Sequence, residues 1–229
     1  MKLNLKFLFF YLVISAIELL IDIEISSLVE IRWVTKPLLM ILLMLFVHNN
    51  IQTKEKYALH LIFLFAWLGD VFLMFSNPIG FPLGLGSFLV MQVLYIRYFL
   101  KSIDFKRVNW KVGGLVLCLF IGYIVAFLSV LWIGVGQVLL IPVVLYAIAL
   151  GSMAFFAFLR NRDMSRINFL TVFSGAILFV ISDSLLAYNK FVQSIPQNSF
   201  WVMATYILAQ LLLSVGLVNF VIRKRLNAP

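Results

Sequence analysis

Two aspartates, Asp70 in LFAWLGDVFLMF and Asp183 in ILFVISDSLLAY, interrupt stretches that are otherwise apolar. An ionised carboxylate at membrane depth costs ~2.5–3.5 kcal/mol even on the mildest insertion scale, so such residues face a bundle interior and mark a function by default. Two of them can divide proton chemistry: one carboxyl group donates a proton, while the other stays ionised, stabilises a developing cation and activates water. Glycosidases divide the labour of two carboxylates in this way around a cationic transition state. Coupled carboxylates titrate as a pair, so spacing alone does not assign the roles; the longer apolar approach to Asp183 favours it as the acid. Buried carboxylates that load and unload protons are equally the mark of a proton-coupled transporter, the alternative function.

The elements that must position them are membrane helices. Of 229 residues, 64% are hydrophobic and 12% charged, and the mean hydropathy is +1.09, more apolar surface than a soluble core of this size needs. A spanning helix takes roughly 20 apolar residues, and the chain divides into eight such stretches at 5–21, 34–48, 57–75, 83–100, 112–133, 138–159, 167–188 and 200–222. The second is short and borrows residues around Lys36. The expected fold is all-α: a single transmembrane domain over residues 1–229, a polytopic bundle of eight helices. The first stretch lacks a small-residue cleavage pattern and closes on Glu18 and Asp22, so it reads as a retained helix, not a cleaved signal.

The net charge of +9 is spread by topology. With the first residue placed in the cytoplasm, fifteen basic residues fall at cytoplasmic ends, among them Lys2, Lys6, Arg97, Arg160 and Arg223, against Arg32, Lys36 and Lys190 on the other side. The positive-inside bias and an even helix number put both termini in the cytoplasm, of a protein expected in the cell membrane. No basic stretch is interleaved with aromatics as a nucleic-acid groove requires. The lone Cys118 gives no disulfide framework and reads as a small core residue. No His, Cys and carboxylate spacing resembles a zinc site, so no metal is expected; His48 and His60 lie toward cytoplasmic ends. Neither a glycine-rich phosphate loop nor a Gly-x-Ser-x-Gly elbow is present, and no cofactor or protein partner is implied.

Orientation turns position into depth. Asp70 lies seven residues before Asn77 and Asp183 six before Asn189, which at 1.5 Å per residue sets both about 10 Å below the outer surface. Asp70-Val-Phe-Leu-Met-Phe parallels Asp183-Ser-Leu-Leu-Ala-Tyr, and Ser87-Phe-Leu-Val-Met parallels Ser199-Phe-Trp-Val-Met. These matches suggest a 4+4 parallel repeat about an axis along the membrane normal. Tyr206 and Gln210, four apart, share a helix face, as do Gln92 and Tyr95, three apart. Lys36 sits where its ammonium could meet a phosphate or a carboxylate. Glu18 and Asp22 share a face at the outer end of the first helix and read as interfacial.

The Lys36-Pro37-Leu38 start of the second helix, Gly69-Asp70, Gln92-Val-Leu-Tyr95 after Gly86 and Phe88, Gly175-Ala176 leading to Ser182-Asp183, and Tyr206-Ile-Leu-Ala-Gln210-Leu-Leu together resemble the lysoplasmalogenase (YhhN-like) family of multi-pass membrane proteins, in order across essentially the whole chain. The resemblance implies hydrolysis of the vinyl ether bond of a lysoplasmalogen to a fatty aldehyde and a glycerophospho head group. It places the essential aspartates on Asp70 and Asp183, with Lys36, Gln92, Tyr95, Ser182, Tyr206 and Gln210 around the lysolipid substrate and membrane lipid. Many members have His where this chain has Gln92, so any proton transfer there is lost while hydrogen bonding persists. A structural or chaperone-like membrane protein is the third reading; it predicts that neither aspartate matters.

Overall fold

The computed structural model describes residues 3–24, 30–162 and 164–226. These form α1 (Lys6–Glu24), α2 (Arg32–Asn50), α3 (Glu55–Leu73), α4 (Gly80–Leu100), α5 (Trp110–Leu131), α6 (Gln137–Leu159), α7 (Arg166–Phe191) and α8 (Asn198–Leu226), with no strand among the described residues. Each apolar stretch of the sequence has become one helix, because a long apolar run satisfies its backbone hydrogen bonds only within itself. Two ends moved for identifiable reasons. Asn77 does not extend α3, which stops at Leu73; its Oδ1 instead accepts from the Gly80 amide at 2.7 Å and starts α4. Asn189 lies inside α7, and its Oδ1 accepts from the Ile195 amide at 2.9 Å, which ties down the turn before α8.

Among the described residues six helices, α3 to α8, are long and apolar enough to cross a membrane. Charge separates α1 and α2 from them: α1 carries Lys6, Glu18, Asp22 and Glu24, and α2 carries Arg32 and Lys36 and ends in His48-Asn49-Asn50. The molecule is therefore an all-helical, polytopic membrane protein.

By contacts, the chain divides into two compact units, residues 1–91 with 214–229 and residues 92–213, the boundaries falling inside α4 and α8. In the first unit α2 packs against both α1 and α3. The α1–α2 hairpin is fastened at both ends. At one, the Asn4 amide donates to Asn50 Oδ1 at 2.8 Å, while Asn50 Nδ2 donates to the Asn4 carbonyl at 3.1 Å. At the other, Arg32 Nε meets Glu18 at 3.0 Å, Arg32 Nη1 meets Asp22 at 2.8 Å, and the Thr35 hydroxyl donates to Glu18. Glu18 is completely buried. It is not interfacial as its position near a helix end suggested, since the start of α2 folds back over it and brings a cation and a hydroxyl to its oxygens.

In the second unit α6 packs against α5 and α7, and α5 also touches α7. Side chains cap two of these helices: Asn109 Oδ1 accepts from the Val112 amide, and Ser165 Oγ from the Asn168 amide. Only Gly113 and Leu131 are buried on α5, so most of this apolar helix suits contact with lipid. Cys118 is on that exposed face and is not the core residue its apolar surroundings indicated; a hydrophobic run facing lipid reads the same as one facing a core.

The ion-pair cluster makes an ordered prediction. Arg32→Ala takes the cation from two carboxylates at once, whereas Glu18→Ala leaves Arg32 on Asp22. Removing one partner of a buried pair costs about 3–5 kcal/mol, so the unfolding midpoint of purified protein in detergent should fall further for Arg32→Ala than for Glu18→Ala. Equal or reversed losses would contradict this account of the hairpin.

Candidate functional site

α7 brings three polar residues in succession into the second unit, and each has a partner on a different helix or turn. The Ser182 hydroxyl, buried, donates to the Val202 carbonyl of α8 at 3.0 Å. Asp183, part-buried, accepts at Oδ2 from the Tyr146 hydroxyl of α6. The Ser184 hydroxyl donates to the Val180 carbonyl one turn back and hydrogen-bonds with the Tyr123 hydroxyl of α5. Close approach of α7 to α8 depends on Gly175, where a Cβ would stand 3.0 Å from the Ala209 carbonyl oxygen and from Leu213.

The remaining candidates of this unit lie on α4 and α8. Gln92 is completely buried, with its side-chain amide beside the Tyr146 hydroxyl. Tyr95 donates from its hydroxyl to Gln210 Oε1 at 3.3 Å, both residues fully buried. Tyr206 is edge-on to Phe179 of α7, ring centroids 5.7 Å apart. One turn along α4 from Tyr95, the stacked Phe99 ring carries the Arg160 guanidinium 4.9 Å from its centroid. Arg160 has no exposed surface, although its place at a helix end indicated a solvated cytoplasmic charge. An arginine held over an aromatic face and packed by α4 tolerates burial that an exposed helix end would not require.

Asp70 and Lys36 belong to the first unit. Asp70 is 2% exposed on α3, and the preceding Gly69 lets Phe88 of α4 close on that helix: a Cβ at Gly69 would be 2.7 Å from the Phe88 ring. Lys36 is half-buried near the start of α2, next to the Thr35 that bonds Glu18.

Sequence reading named Asp183, Gln92, Tyr95, Ser182, Tyr206 and Gln210, all in the second unit, but missed Tyr146, Tyr123 and Arg160. One signal was available for the two tyrosines. Tyr and Trp gather at membrane interfaces, yet Tyr123 and Tyr146 lie well inside their apolar runs, where a phenol needs a partner. Chemically, a carboxylate oriented by a phenol can take a proton from water or face a developing positive charge. Among the described residues no group of three or more His, Cys, Asp and Glu side chains could hold a metal ion.

The model of the YhhN family matches residues 31–217. The chain belongs to the YhhN family. Every candidate from Lys36 to Gln210 falls inside the family segment, as do Arg32 and Tyr146, while α1 precedes it. Lysoplasmalogenase TMEM86B of Mus musculus is 31% identical over 147 residues, covering 64% of this chain and 57% of that protein. Lysoplasmalogenase TMEM86A of Homo sapiens is 30% identical over 168 residues, covering 68% and 62%, and TMEM86B of Rattus norvegicus is 28% identical over 155 residues, covering 65% and 56%. This YhhN-family chain thus spans less than two thirds of the length of these relatives. No solved structure matches it.

The glycine contacts are open to test. Gly69→Val and Gly175→Val each insert carbon where a ring or a backbone carbonyl already sits, and overpacking of this kind costs about 1–3 kcal/mol. Both variants should unfold at lower temperature than the parent in detergent, whereas Gly122→Val, whose Cβ meets nothing within 4 Å, should not.

Proposed function

We propose that this chain is an integral membrane hydrolase that cleaves the vinyl ether bond of a lysoplasmalogen-type lysolipid, releasing a fatty aldehyde and a glycerophospho head group. The observation that carries the reading is Asp70, a carboxyl group 2% exposed on a helix long and apolar enough to cross a membrane, which a purely structural role does not explain. Asp183, on a second such helix with a phenol donating to it, supplies the other carboxyl group. Membership of the YhhN family and likeness to proteins named lysoplasmalogenase support the substrate class.

In this reading one aspartate protonates the vinyl ether at the carbon remote from oxygen, giving an oxocarbenium ion. The other, as carboxylate, stabilises that cation and removes a proton from the attacking water. The resulting hemiacetal collapses to aldehyde and free hydroxyl, for a net uptake of one water. Lys36 faces the head-group phosphate, and Gln92, Tyr95, Ser182, Tyr206 and Gln210 line the polar part of the path. The protein works in the cell membrane as one transmembrane domain of eight spans, the more polar α1 and α2 included, with both termini cytoplasmic and the two sets of four helices arranged as a parallel repeat.

Purified protein in detergent, given lysoplasmalogen, should release fatty aldehyde detectable by mass analysis, and in D2O that aldehyde should carry deuterium on the carbon next to its carbonyl. General acid and base groups contribute about 10²- to 10⁴-fold, so Asp70→Asn and Asp183→Asn should each lower the rate at least 100-fold. Full activity in both variants would overturn the mechanism, and lysolipid flux into proteoliposomes without chemical change would indicate transport.

A further inference from the structure

The first unit has a cavity of about 250 Å³ where α3 begins and α8 stops. The α2–α3 turn lines it with Ile51, Gln52 and Thr53, and the last turns of α8 line it with Val221, Ile222 and Arg225. The turn is held from behind, where Asn50 exchanges hydrogen bonds with Asn4. Positive charge gathers at the same place. Residues 50–56 and 221–226 carry Lys54, Lys56, Arg223, Lys224 and Arg225 against a single acid, Glu55. Five cations less one carboxylate leave four positive charges. Lys54, Arg223, Lys224 and Arg225 are exposed. Lys224 stands close enough to the Glu55 carboxylate to act on it, and the Thr53 hydroxyl bonds the same group, so two segments far apart in the chain meet here.

Both helices that frame the cavity are long and apolar enough to cross a membrane, which sets it at the end of two spans, at the level of lipid head groups. Asp70 lies fifteen residues along α3 from Glu55, about 22 Å away, so the cavity is separate from that carboxyl group. We infer that it binds the head group of one anionic phospholipid. Arg225, with Lys54 on the adjoining turn, meets the phosphodiester, while Ile51, Val221 and Ile222 take the glycerol and the first carbons of the chains. A guanidinium matches two phosphate oxygens at once, and basic residues beside a span attract anionic lipid. A soluble phosphate would use the cations and leave the apolar wall in water, whereas a lipid covers both. A zwitterionic lipid brings a cation of its own to a place that already holds four positive charges. The inference is independent of the hydrolase reading, and aldehyde release enters none of its measurements.

The test uses full-length protein in neutral detergent, freed of lipid, with phosphatidylglycerol or phosphatidylcholine added in mixed micelles and the retained lipid counted by native mass spectrometry. One phosphatidylglycerol should stay on each protein, bound about tenfold or more tightly than phosphatidylcholine, and more weakly as salt is raised. Lys54→Gln/Arg225→Gln should lower that affinity about tenfold or more, whereas Lys111→Gln, on α5 of the other unit, should bind as the parent does. Ile222→Trp keeps every charge and fills the cavity, and should weaken binding to a similar extent; should it fail to fold, Leu226→Gln, on the exposed last turn and lining the same cavity, tests the apolar wall with the same expected loss. Parental affinity in the folded wall variant, or an equal loss in Lys111→Gln, would mean that positive charge in general attracts the lipid, and overturns the inference. Binding of glycerol 3-phosphate as tight as that of phosphatidylglycerol, or equal retention of the two lipids, overturns it as well.

Discussion

A carboxylate carried on an apolar helix has to find its donors within the protein, because neither lipid nor a hydrophobic neighbour can supply them. This requirement organises the polar interior. Glu18 draws Arg32 and the Thr35 hydroxyl onto itself and so closes the α1–α2 hairpin. Asp183 draws the Tyr146 hydroxyl and so ties α7 to α6. In each case the partner comes from an adjacent helix of the same unit, and the hydrogen bond that offsets the cost of burial also fixes how two helices meet.

The two clusters differ in their donors. Around Glu18 and Asp22 the arginine is shared between two carboxylates and the Thr35 hydroxyl joins it on Glu18, an arrangement suited to holding helix ends together. Around Asp183 the donor is a phenol, and the buried Gln92 amide lies beside that same hydroxyl. The column from Gln210 through Tyr95 and Phe99 to Arg160 is different again: an amide, a phenol, a ring and a cation in succession carry polarity from α8 across α4 to the end of α6.

The apolar exterior has its own logic. Only Gly113 and Leu131 of α5 are buried, and its Tyr123, itself exposed, hydrogen-bonds with Ser184 of α7. That helix also touches α7 and holds Ser184, the residue after Asp183. The glycines serve the same end by subtraction. Gly69 admits the Phe88 ring next to Asp70, and Gly175 lets the α7 backbone close on α8 near Gln210.

The number and placement of the helices, their all-α character and the position of both aspartates were legible in the residues, because the length of an apolar run and a lone charge within it are local properties that lipid or a core reads one residue at a time. The burial of Glu18 and Arg160, the exposure of Cys118 and the pairing of Tyr146 with Asp183 were not. Periodicity tells that a face is apolar, not whether lipid or protein covers it, and the partners of Asp183 and Glu18 lie 37 and 14 or more residues away along the chain. Which donor reaches which acid is decided by how helices cross, and that is settled only when they pack.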